Sequence, residues 1–160
     1  FLIGLAIGGC EWTGISSEPD RFELTDLMDK NMPLFPEGQK IEVSEKNRLR
    51  FIKNILAADI SYSQSGTAFY WTSITANDAI PVLNRCLADG DWNLVTDWGY
   101  QNGLLYMLSV WEKEDLKLSI LLWNDLDSVG IASLSKNYGI SGPVPGSTML
   151  VMHIVNLAEQ

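Results

Sequence analysis

Histidine and cysteine are almost missing from this chain of 160 residues, which has one histidine, His153, and two cysteines, Cys10 and Cys86. Two cysteines do not make a disulfide framework, and neither has the spacing of a metal-binding pair. A Ser/His/Asp or Cys/His arrangement would have to use His153. That residue lies beside Met152 and Ile154 in an apolar run and reads as structural. Positive charge is also scarce: 11 Lys and Arg against 20 Asp and Glu give a net charge of −9. Such a balance argues against a general role on nucleic acid. The stretch Asp125-Leu-Asp127-Ser-Val129-Gly130 opens like a calcium loop. It then fails at Val129, which has no side-chain oxygen, and again at Lys136, where an acid is needed. Gly8 and Gly9 precede no strand-to-helix turn, so they form no phosphate loop. No cofactor, no metal and no catalytic residue is therefore expected.

What is present points to a fold. Hydrophobic residues make up 46% of the chain, too many for a disordered protein and enough for one domain with a core. The organising stretch runs from Thr67 to Trp123. Residues 67–74 are aromatic and β-favouring and predict a strand. Asn77 or Asp78 is expected to cap a helix over 79–88, because a cap at Thr75 would put Pro81 inside it at a cost of about 3 kcal/mol. Ile80, Leu83 and Leu87 share one face of that helix. Cys86 reads as a core residue, and Gly90 suits the left-handed position after the last turn. Trp92 begins the next strand, and Asn102-Gly103 is a hairpin signal. Leu104–Trp111 and Leu116–Trp123 then pair across 112–115, whose acids Glu112 and Glu114 fall at a solvated tip.

The flanks are less regular. Residues 39–43 read as a first strand, with Ile41 and Val43 facing one way. Residues 44–60 predict a helix, about 45–58, from Leu49, Ile52, Ile55 and Leu56, with Ser44 as cap; the alternation of Leu49 and Phe51 would suit a strand instead. Lys40, Lys46, Arg48, Arg50 and Lys53 make this the one basic region, either a solvated face or a contact for anionic headgroups or an acidic partner. Residues 61–66 read as a loop, 124–128 as a turn, 129–134 as a further strand and 136–145 as loop. Gly146–Val151 echoes Gly38–Val43, so 141–160 reads as a loop plus a terminal strand of the same sheet, or the start of a truncated repeat.

Phe1-Leu-Ile-Gly-Leu-Ala-Ile-Gly-Gly-Cys10 is uncharged and apolar, and too short to span a bilayer, which takes about 20 residues. The chain opens on Phe1 rather than Met, as a fragment or processed chain would. Ile7-Gly8-Gly9-Cys10 resembles the lipobox of bacterial lipoproteins: an aliphatic residue, two small residues and a cysteine. The resemblance implies cleavage before Cys10, lipidation of Cys10 and an extracytoplasmic, membrane-anchored place in the bacterial cell envelope. Residues 1–9 are then the remnant of a secretion signal, 10–32 a polar tether in which Leu24, Leu27 and Met28 could form a short helix, and 33–140 the folded domain. The alternative is a buried N-terminal strand with Cys10 in the core.

The expected fold is α+β, an antiparallel sheet of five or six strands packed on one main helix. Leu104, Tyr106, Leu108 and Val110 are expected on the core face with Leu116, Leu118, Ile120 and Leu122. That leaves Leu105, Met107, Ser109, Trp111, Lys117, Ser119, Leu121 and Trp123 on the other, a face too apolar for water. Residues 44–60, the C-terminal run or a partner should cover it. Leu105, Met107, Trp111, Leu121 and Trp123 are the candidate contact residues for a protein, lipid or glycan. The expected function is a non-enzymatic, lipid-anchored binding or assembly domain. One alternative is a hydrolase or metal-dependent enzyme using Asp89, Asp91, Asp97, Asp125 and Asp127. The other is a structural subunit with an obligate sheet-face interface.

Overall fold

Six strands form one antiparallel sheet, with helices packed on both of its faces. The computed structural model describes residues 35, 38–56, 65–100 and 105–159. The expected signal remnant, Cys10, the tether, Leu104 and the Asn102-Gly103 turn lie outside the described residues. In chain order the elements are β1 (Gln39–Ile41), α1 (Glu45–Phe51) continued by a π turn (Ile52–Leu56), β2 (Ser65–Thr72), α2 (Ala76–Asp89) and β3 (Asn93–Tyr100). Then come β4 (Met107–Lys113), β5 (Leu116–Trp123), α3 (Ser128–Tyr138) and β6 (Thr148–Asn156). The sheet order is β1-β2-β6-β5-β4-β3. The fold is α+β, as the sequence pattern implied.

The last strand is central. β6 pairs along its length with β2 on one side and β5 on the other. Its residues Thr148 to Val155 are all buried, which explains an unbroken apolar run where a half-solvated strand would alternate. Even-numbered Leu150, Met152 and Ile154 pack on the α2 side. Odd-numbered Met149 and Val151 pack on the other.

Helix α2 closes the first face through Ala76, Ala79, Leu83 and Leu87, all buried. It starts at Thr75, one turn earlier than expected, and encloses Pro81. Three bonds at the start offset the lost one at Pro81. The Thr75 side chain accepts from the Asp78 amide at 3.4 Å and donates to the Asp78 carboxylate at 2.8 Å. The amide of Ala76 donates to Asn124 Oδ1 at 3.2 Å. The extra turn also buries Ala76 and Ala79, while Pro81 faces solvent. At the other end the left-handed residue is Asp91 (φ 61°), not Gly90. Bonds from Asp91 N to Ala88 O and from Trp92 N to Leu87 O close the helix. Cys86 is half-buried rather than in the core.

The second face is covered by α1, its π turn and α3. Phe51 is the centre of this layer: fully buried, it makes edge-on ring contacts with Phe69, Trp123 and Tyr138 at 5.1, 5.8 and 5.1 Å. The buried side of α1 is thus Phe51 and Ile52, with Leu49 only half-buried. Ser44 holds the cap position without a side-chain bond.

Residues 129–134 are helical, where a strand was expected. Asp127 caps α3 by accepting from the Gly130 amide at 2.6 Å. Gly139 ends it in the left-handed region at φ 64°, with Gly139 N bonded to Ser135 O and Ile140 N to Leu134 O. Any side chain at Gly139 would also strike Asn47, whose amide nitrogen lies 2.5 Å from the Cβ position. Ile131, Leu134 and Tyr138, at helical spacing, pack towards the sheet.

Candidate functional site

The β4–β5 hairpin fixes where the candidate contact residues go. Its turn is Glu114 and Asp115, with Lys113 paired to Leu116 and Trp111 to Leu118. Like parity keeps residues on one side within a strand, but a two-residue turn reverses it between strands. Met107, Ser109 and Trp111 therefore share the α2 face with Leu116, Leu118, Ile120 and Leu122. Tyr106, Leu108 and Val110 share the other face with Leu121 and Trp123. The expected common face of Trp111 and Trp123 does not exist. Both are buried, at 4% and 9% exposure, and they lie on opposite sides of the sheet. Leu121 is buried beside Trp123, and Met107 packs against the α2-side core.

Leu105 and Trp123 do come together. They line a cavity of about 430 Å³ with Ile55, Leu126, Leu134 and Tyr138, within the range of small-ligand sites. The segment after β5 shapes it. Asn124 Oδ1 accepts from Ala76 N and from Thr148 Oγ1, tying the ends of three elements together. Asp125 adopts φ 52°, and Leu126 is clamped by bonds to Ser147 O and from Gly146 N. Asp127 then launches α3, which forms the opposite wall. Below, Trp123 rests on Tyr106 at 4.8 Å between ring centroids. Burial pushes the Tyr106 phenol above its ordinary pKa, and its hydroxyl donates to Ile55 O at 3.3 Å.

The polar groups around this cavity are largely committed to the fold. Asn124 and Asp127 hold backbone amides, and Asn137 Nδ2 donates to Ser133 Oγ at 3.1 Å. Asp125 is exposed at the rim, as is Leu105, at 86%. The cavity can therefore accept an apolar group more readily than a polar one, since few hydrogen bonds are left to offer.

The acids proposed for an enzyme are dispersed. Asp89 ends α2, Asp91 follows it, Asp97 lies on β3, and Asp125 and Asp127 flank the cavity. Among the described residues no group of three or more His, Cys, Asp or Glu is placed to hold a metal ion. His153 sits on β6 facing the α1/α3 side, its Nδ1 2.9 Å from Thr67 Oγ1. Burial lowers its pKa to about 4, against a smaller upward effect of a bond with the Gly66 backbone, so the ring is neutral near pH 7. Two signals for the cavity were readable in the chain but not joined: the Asp127–Gly139 cap pair and the helical spacing of Ile131, Leu134 and Tyr138.

Comparison of the chain with protein-family models, curated proteins and solved structures gives no match. Among the described residues no helix is long and apolar enough to cross a membrane.

Proposed function

We propose that this is a lipid-anchored protein of the bacterial cell envelope, held by Cys10, whose domain binds an apolar group of a ligand or partner beside Trp123. It is a binding module rather than an enzyme. The observation that carries the reading is Leu105, a leucine 86% exposed at the mouth of a cavity floored by Trp123. An exposed leucine alone is ordinary, but one continuous with an apolar cavity is a place for a partner. The anchor rests on Ile7–Cys10 and supplies a high local concentration at the membrane.

The two halves are tested separately. For the cavity, the probe is 11-(dansylamino)undecanoic acid, whose fluorescence rises in apolar surroundings. Wild type should enhance it, and Leu105→Asp should weaken the response about tenfold with stability held within about 0.5 kcal/mol, as for an exposed position. An unchanged response in the variant sinks the cavity assignment. For the anchor, Cys10→Ala should abolish the lipid mass increment and release the protein from membranes on fractionation; identical mass and fractionation would remove the anchor.

A further inference from the structure

We propose that the outer side of α1 docks the domain on an anionic lipid surface. Lys46 and Arg50 stand four residues apart on one side of α1, Lys53 follows in the π turn, and all three are exposed. Phe51 and Ile52 are buried, so this basic stripe points away from the sheet. Arg50 Nη1 donates to Asn137 O at 3.0 Å. This sets the stripe beside the last turn of α3, where Lys136 is also exposed. Lys40 does not join it, because it alternates with inward Ile41 and lies on the α2 side of the sheet.

The rest of the molecule has the opposite sign. Residues 39–56 carry five cations and two carboxylates in a chain whose net charge is −9. Most other described acids lie elsewhere: Asp78, Asp89 and Asp91 in and after α2, Asp97 on β3, and Glu112, Glu114 and Asp115 around the β4–β5 turn. Asp125 and Asp127 share the face of α1 but stand at the start of α3, the opposite end from Arg50 and Lys136. Helix α2 is on the opposite face from α1, and β3 is the opposite edge from β1. The domain is electrostatically polarised, and an anionic plane would attract one side and repel the other.

A lipid surface suits the stripe better than a shaped partner does. The stripe is the outer side of a helix, lysine-rich, and lysine is a point charge without a directional fork. The chain also enters the domain at β1, directly ahead of α1. Phe35, four residues before β1, packs with the α2-side core, so an anchor at Cys10, 29 residues before Gln39, brings the domain to a membrane without itself selecting a face. From the proposed function the inference takes only that anchor.

The test uses the full chain carrying Cys10→Ser, which cannot be lipidated, floated with vesicles of phosphatidylglycerol and phosphatidylcholine in equal parts or of phosphatidylcholine alone. At about 50 mM salt it should partition onto the anionic vesicles only, and about 0.5 M salt should release it. K46E/K53E should lower the partition coefficient by about tenfold or more, whereas R85E, on the exposed side of α2, should change it less than about twofold. K46Q/K53Q gives an intermediate loss, and serves if the charge reversal unfolds the chain. Absence of binding to the anionic vesicles, or equal losses from K46E/K53E and R85E, overturns the proposal. Either outcome leaves the lipidation of Cys10 standing, since the mass of the native chain measures that independently.

Discussion

The two faces of the sheet are closed by different means. On one, α2 lays 14 residues across the strands and buries Ala76, Ala79, Leu83 and Leu87. On the other, a 7-residue helix with a π turn shares the work with the 11-residue α3, in which no residue is fully buried. A helix that touches the sheet only through half-buried Ile131, Leu134 and Tyr138 cannot seal it. The candidate cavity lies where that seal is incomplete. Binding sites tend to occur where packing gives way, and the sealed face supplies the stability that permits it.

The strongest way to break this contrast is to truncate one anchor on each side. Trp111→Ala and Phe51→Ala should each cost about 3–5 kcal/mol in urea unfolding. Only Phe51→Ala should also alter the dansyl response, because Phe51 supports Trp123 and Tyr138. Equal effects on the probe from both variants would mean the faces are not independent.

Next in size is the buried histidine on the second face. Its folded pKa of about 4 lies below the unfolded value of 6.5, so between those values the unfolded chain binds the extra proton. The stabilisation is full above pH 6.5 and is lost as pH falls towards 4, by about 3 kcal/mol at most. His153→Gln should flatten that part of the stability–pH curve. A variant with the wild-type slope would place the titration elsewhere, among the carboxylates.

The sealed face can be sharpened at Pro81. Pro81→Ala restores an amide to a solvent-facing helical position and should raise stability by about 1–3 kcal/mol. A loss instead, seen as a lower urea midpoint, would show that the proline bend is needed to seat α2. The smallest effect is expected at the cap of α3: Asp127→Ala should cost about 1 kcal/mol and loosen the cavity wall, read as faster amide exchange at Gly130 and Ile131. Unchanged exchange there would mean the wall is held by packing alone.

Much of the first face was legible. Leu83 and Leu87 repeat at helical spacing, and Leu116–Trp123 is an uninterrupted β-favouring segment. The second face was not. Its helix α3 has β-branched Val129 and Ile131 and the poor helix former Gly130 in its first turn, which disfavour a helix locally. The caps at Asp127 and Gly139 and the partial burial of Ile131, Leu134 and Tyr138 against the sheet reverse that preference. The candidate contact set was divided for a different reason. Trp111 and Trp123 each read correctly as alternating strand residues, but the parity across their turn depends on an even number of loop residues.

By itself the sequence determined the α+β class, the antiparallel hairpin of β4 and β5, and the buried stripe of α2. These follow from periods of two and 3.6 residues, which are local properties of the chain. It also determined the charge asymmetry, since five cations fall within 14 consecutive residues, 40–53. Tertiary structure alone decided that β6 lies at the centre of the sheet, that Thr75 rather than Asn77 or Asp78 caps α2, and that Leu105 and Trp123 meet at one cavity while Trp111 does not. Each of those depends on pairings and contacts between residues far apart in the chain, where register and burial outweigh the preferences of any single segment.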